Sequence, residues 1–96
     1  MDKHEAELVL RAEARKLRAV PYPKLVERFA DKQEAVDVLA PSGTTYRLEA
    51  QGFWDDRGEG GLRVVVSIDD GGFQVLAPLT DSFTIAANGA ITEISP

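Results

Sequence analysis

The chain contains no cysteine, a single histidine and no long apolar run, and each absence removes a class of chemistry. Without cysteine there is no disulfide framework, no thiolate zinc site and no cysteine nucleophile, which suits a reducing compartment. No stretch approaches the roughly 20 apolar residues of a membrane-crossing helix. The opening Met1-Asp2-Lys3-His4-Glu5 is charged where a secretory signal would be apolar. The expectation is a soluble, cytoplasmic protein with no membrane partner. His4 lies at a helix end prone to fraying, which favours a surface role over a catalytic one. Ser42, Ser67 and Ser82 have no assigned base, and no carboxylate pair falls at catalytic spacing within one element. The chain therefore reads as a non-enzyme without a cofactor.

What is present suits one domain spanning 1–96, since 96 residues with 44% hydrophobic content can bury one core but seldom two. The formal charge of −5 is unevenly spread. Residues 1–32 carry eight Lys and Arg against six Asp and Glu, a surplus of two positive charges. Residues 33–96 carry three against ten, an excess of seven negative charges. A mildly basic helical part (2–29) is thus joined to an acidic sheet part (34–94), a polarity that can steer a charged partner but also describes an ordinary solvated surface.

From Asp2 to Val20 the chain is rich in helix formers and free of Gly and Pro. At about 100° per residue, Ala6, Val9, Leu10, Ala14, Leu17 and Val20 share one arc and form a core-facing stripe. Glu13 falls inside that arc, so it belongs at the stripe's edge, reaches outward, or pairs with an arginine from the sheet. On the opposite side Arg11, Arg15 and Arg18 make a short exposed basic stripe. The helix dipole favours cations there without any nucleic acid, and no base-reading side chains flank them. Pro21-Tyr22-Pro23 ends this helix and opens a second over Lys24–Phe29, with Leu25, Val26 and Phe29 directed to the core.

Strands follow. Glu34–Leu39 places Val36 and Val38 on one face, and Pro41-Ser42-Gly43 turns the chain. From Thr45 to Trp54, residues Tyr46, Leu48, Ala50 and Trp54 point to the core while Arg47, Glu49 and Gln51 face water. Leu62–Asp69 alternates in the same way. Matching the two apolar faces sets Trp54 opposite Leu62, Ala50 opposite Val66 and Leu48 opposite Ile68. The same register brings Arg47 to Asp69 and Phe53 to Arg63, where a cation can lie on a ring. Asp70-Gly71 signals a tight turn into a strand over Phe73–Ala77, with Ile68 facing Phe73, Val66 facing Val75 and Val64 facing Ala77. Leu76 would then join Val65 in a small exposed apolar spot. Phe83–Ala86 and Ala90–Ile94 read as a final hairpin around a two-residue Asn88-Gly89 turn, with a bulge or an early end expected because Ile91 and Ile94 are three apart.

Of the acidic loops, Asp55–Gly61 lacks calcium-loop spacing and lacks the Gly-Lys-Ser/Thr ending of a phosphate loop. It is separated from Asp69 and Asp70 by on the order of 20 Å of strand, so both loops read as solvated turns. The fold class expected is α+β, an N-terminal helix and a short second helix packed on one face of a four- to six-stranded antiparallel sheet. The leading functional expectation is a non-catalytic protein-interaction domain with an acidic sheet surface, of inhibitor or immunity type. Its partner, a protein and not a nucleic acid, would read Arg47, Glu49, Gln51, Phe53, Arg63 and Val65, or the stripe Arg11, Arg15 and Arg18. The alternative is a small-molecule pocket between helices and sheet lined by Tyr22, Phe29, Tyr46 and Trp54. A monomer or weak dimer is expected, pairing through an edge near Ile91.

Overall fold

The computed structural model describes residues 3–54, 61–69 and 79–93. Within them the Ala- and Leu-rich N-terminus forms α1 (Lys3–Arg18), whose buried residues Ala6, Leu10, Ala14 and Leu17 are the stripe that the 3.6-residue period predicts. A second helix, α2 (Tyr22–Phe29), begins two residues earlier than expected. Pro21 caps it in extended geometry, Pro23 falls in its first turn, and Pro21 O accepts from the N–H groups of Lys24 and Leu25. No described helix is long and apolar enough to cross a membrane.

Five strands then follow in a meander: β1 (Gln33–Leu39), β2 (Thr45–Trp54), β3 (Leu62–Asp69), β4 (Leu79–Ile85) and β5 (Ile91–Glu93). Their spatial order is their chain order, and every neighbouring pair is antiparallel. Two helices packed against a five-stranded antiparallel sheet make an α+β fold. Two of the hairpins use one loop design. In Ala40–Thr44 and Ala86–Ala90 the first residue bonds the fifth, and the intervening glycine, Gly43 or Gly89, donates to the first carbonyl at positive φ. That is a three-residue loop closed by a left-handed glycine, so the last hairpin is one residue longer than a two-residue Asn-Gly turn.

The β2–β3 register is the expected one, with Trp54 opposite Leu62, Ala50 opposite Val66 and Arg47 opposite Asp69. The partner of β3 on its other side differs from expectation. It is Leu79–Ile85, with Ile68 opposite Leu79, Val66 opposite Asp81 and Val64 opposite Phe83. That pairing takes the row positions expected of Phe73–Ala77, a segment that lies outside the described residues. A turn signal such as Asp-Gly is local, whereas Phe83 and Ile85 bring two fully packed apolar side chains to the same row positions. The predicted Asp70-Gly71 tip, Leu76, Ile94 and most of the Asp55–Gly61 loop lie outside the described residues.

The core occupies one face of the sheet. Tyr46, Leu48, Leu62, Val64, Val66, Ile68, Phe83 and Ile85 meet the helix stripes and Leu25 and Phe29. Fully burying a side chain of this size contributes about 1.5–3 kcal/mol. The Tyr46 hydroxyl, at the buried end of this set, donates to Glu5 Oε1 at 2.9 Å, and Ser42 Oγ donates to the same oxygen at 2.6 Å, pinning the start of α1 to the first hairpin. At the end of α2 the chain crosses β2 closely. Gly52 bridges Ala30, and a Cβ there would stand 2.5 Å from the Phe29 carbonyl oxygen, so only glycine lets the connection pass.

Candidate functional site

One row of side chains on the covered face organises both flanks of the sheet. Glu34, Ala50, Val66 and Asp81 are successive partners across β1, β2, β3 and β4, so a carboxylate stands at each end and small or branched apolar groups between. Each carboxylate is held by an arginine from a different helix. Arg18 of α1 donates through Nη2 to Asp81 Oδ1 at 3.0 Å and through Nη1 to Oδ2 at 3.4 Å, and lies 5.0 Å from the centre of the Phe83 ring. Arg28 of α2 donates through Nε and Nη2 to the two Glu34 oxygens, both at 3.1 Å, and lies 4.8 Å from the Phe29 ring centre. The two hydrogen bonds from Arg28 hold the Glu34 carboxyl below its ordinary range, and the same contact raises Arg28.

These ties revise two expectations. Arg18 is turned onto the sheet, so the exposed basic stripe keeps Arg11 and Arg15 and loses its third member. Among the described residues Glu13 meets no sheet arginine; it is half-buried at the stripe's edge and lies 3.8 Å from Lys16 of its own helix. The pairing runs the other way, from helix arginines to sheet carboxylates. Part of the charge contrast between the two parts of the chain is thereby neutralised within the fold.

The opposite face of the sheet has no helix over it among the described residues, and the predicted outer residues do come together there. Gln51 pairs with Val65 and Phe53 with Arg63 in register, beside Arg47 and Glu49 on the same strand face. A polar chain crosses β1 and β2: Gln51 Nε2 donates to Gln33 Oε1 at 3.0 Å, Gln33 Nε2 to Glu49 Oε2 at 3.0 Å, and Arg47 Nε to Glu49 Oε1 at 3.5 Å. Phe53 is 47% exposed. The cation–ring contacts of the described residues are those of Arg18 and Arg28, not Arg63 on Phe53. Asp37, Glu49 and Asp69 share this face with Arg47 and Arg63. The described outer face is thus close to charge balance rather than strongly acidic.

The predicted aromatic pocket is not assembled. Tyr46 and Phe29 are fully buried core residues, Tyr22 is half-buried, and Trp54, at the end of β2, is 41% exposed. The row Trp54–Leu62–Ile85–Ile91 explains the last point, because its two middle members are buried and its two ends are exposed. A different cavity does lie between helices and sheet. It measures about 240 Å³, its floor is Leu17, Phe29, Val36, Leu48, Ala50 and Val66, and its charged mouth is Glu13, Arg28 and Glu34. Only Phe29 of the predicted four belongs to it. The signal that sequence reading passed over is the strand position of Glu34 and Val36, which sets a carboxylate and an apolar group on the covered face beside the small Ala50. A larger hollow of about 530 Å³ runs along β4, where Arg11 and Arg63 flank the Arg18–Asp81 pair.

Comparison with protein-family models, with curated proteins and with solved structures gives no match. The functional reading therefore rests on this chain's own residues.

Proposed function

We propose that this chain is a small non-catalytic protein-interaction domain whose uncovered sheet face and its margin are the recognition surface. One observation carries the reading: both helices place their apolar stripes and an arginine each on one side of the sheet, leaving the outer side of β1, β2 and β3 bare among the described residues. The outer side chains are also held in place by one another through the Gln51–Gln33–Glu49–Arg47 chain. Side chains already ordered before binding lose less entropy on association. Phe53 supplies an exposed aromatic beside a cation, the residue types in which interface energy concentrates. The narrower inhibitor- or immunity-like version loses support, since it rested on an acidic surface and the described face is nearly balanced.

The test is affinity capture with the wild-type chain and with Phe53→Ala/Arg63→Glu, beside an Arg11→Glu/Arg15→Glu control. A partner retained by wild type and control but lost by the outer-face variant is the expected result. Equal capture by all three overturns the outer-face assignment.

A second reading has a specific observation of its own. The 240 Å³ cavity has an apolar floor and a few convergent charges, the usual make-up of a small-molecule site. A thermal-shift screen with small metabolites separates the two. A ligand whose effect disappears in Ala50→Phe, with no protein captured, favours the pocket.

A further inference from the structure

Among the described residues β1 is the last strand on its side of the sheet, and six of its seven residues are exposed, the seventh half-buried. Its hydrogen-bonding phase is fixed by the hairpin. Ala40 and Thr44 are a bonded pair, with Ala40 N–H donating to Thr44 O. Alternation along an antiparallel ladder then directs the N–H and C=O groups of Val38, Val36 and Glu34 to β2, and those of Leu39, Asp37, Ala35 and Gln33 away from the sheet. Natural edges are guarded by charged side chains, lysine above all, by proline or by a bulge, and the charges on β1 are the two carboxylates Glu34 and Asp37. Gln33–Leu39 has no lysine and no proline, and it pairs residue for residue with β2.

Directly inboard of this edge lies the 240 Å³ cavity, with Val36 of β1, 46% exposed, in its wall. A cavity of about 150 Å³ lined by aliphatic and aromatic side chains holds a benzene molecule, so this one has room for a leucine or phenylalanine side chain. The charges of the strand itself have one sign, with Arg47 of β2 in register opposite Asp37. β1 carries Glu34 and Asp37 and no cation; Glu34 is occupied by Arg28, and Asp37 stands exposed on the other face. A second copy of β1 would bring only carboxylates to these carboxylates, which argues against self-pairing.

We propose that β1 is a docking edge for an extended, basic segment of another protein, added as a sixth strand, with one apolar side chain seated in the cavity and a lysine or arginine beside Asp37. Side chains of an added strand alternate between the two faces, so an apolar–basic alternation in the partner matches a cavity on one face and a carboxylate on the other. The proposal rests on the protein-interaction reading and specifies the partner's chemistry.

The probe is a phage-displayed library of random 12-residue peptides selected on the full chain, with the enriched sequences then made synthetically. Expected are peptides alternating apolar residues with Lys or Arg, and binding that raises hydrogen-exchange protection at the amides of Ala35, Asp37 and Leu39. Binding should fall at least tenfold in Ala35→Pro, which removes an outward N–H and leaves the β2 bonds in place, and in the charge reversal Asp37→Lys. The exchange readout stands even where Ala35→Pro fails to fold. Peptides that bind without protecting those amides, and that are lost in Phe53→Ala/Arg63→Glu, overturn the edge proposal while leaving the interaction reading standing. Protection of the same amides together with a doubled native mass and no bound peptide makes the occupant a second copy, which also overturns it. Failure to select any peptide, with a metabolite shifting the melting temperature through the cavity, removes both readings.

Discussion

On the β4 flank Arg18 grips Asp81 beside the Phe83 ring, and on the β1 flank Arg28 grips Glu34 beside the Phe29 ring. The two carboxylates close opposite ends of a single cross-sheet row. The surroundings differ. The Arg18 and Asp81 side chains are 21% and 26% exposed, and β5 continues the sheet beside the Phe83–Ile85 end of β4. Those of Arg28 and Glu34 are 42% and 46% exposed, and no described strand lies beyond β1. The same chemistry is worth different amounts in the two settings, because water screens the exposed pair and leaves the sheltered one more of its attraction. The weakly tied flank also has the cavity with the apolar floor and, among the described residues, an edge uncovered along all of β1, whereas the hollow beside β4 is lined mainly by charged and polar groups.

The largest effect expected is on the β4 flank. Phe83 is fully buried under Arg18, and Phe83→Ala should cost about 3–5 kcal/mol, measured by urea unfolding. A cost under about 1 kcal/mol would mean that the β4 flank is not packed as described. Next comes Gly52→Ala. Its new methyl would meet the Phe29 backbone at 2.5 Å, and a group of backbone atoms yields less readily than a side chain. A loss of about 1–3 kcal/mol is expected, with faster amide exchange concentrated at the end of α2. Uniformly faster exchange would contradict a local disturbance of the β1 flank.

The ties themselves can be compared by double-mutant cycles using Arg18→Ala with Asp81→Ala, and Arg28→Ala with Glu34→Ala. Coupling of about 1.5–2 kcal/mol is expected for the sheltered pair, and less than about 1 kcal/mol for the exposed one. Equal couplings would break the contrast between the flanks.

Much of this layout was legible from the chain because it depends on short periods. The α1 stripe, the bounds of β2 and β3 and the register between them follow from 3.6- and 2-residue alternation over long, uninterrupted segments. The partner of β3 was not legible. Asp70-Gly71 is a strong local turn signal, and nothing local says that Phe83 and Ile85, farther along, fill the buried rows better. The aromatic pocket failed for a related reason: alternation assigns a face but not coverage, so Trp54 shares a face with Leu48 and still lies at an exposed row end. The helix–sheet arginine ties were missed because each joins residues whose proximity depends on how a helix lies on the sheet. For Arg18 and Asp81 the separation is 63 positions.

The smallest expected effect offers the finest test of the contrast, through pH. Glu34 is held below its ordinary range mainly by the hydrogen bonds from Arg28 and by that guanidinium's charge, with a partial opposing effect of burial. A carboxyl depressed in the folded state binds fewer protons folded than unfolded, so stability rises with pH through the interval between its two pKa values. The contribution of Glu34 is therefore fully present above the ordinary carboxylate range, at about pH 4.3, and is lost as the pH falls through the lower, folded value. Urea unfolding of wild type and Glu34→Gln should differ by less than about 1 kcal/mol at pH 7, keep that difference down to about pH 5, and converge toward pH 3. Convergence that begins above pH 6 would assign the effect to another group. A difference that persists unchanged to pH 3 would mean that Glu34 acts through packing at the cavity mouth rather than through its charge, and the β1 flank would then be held by shape alone.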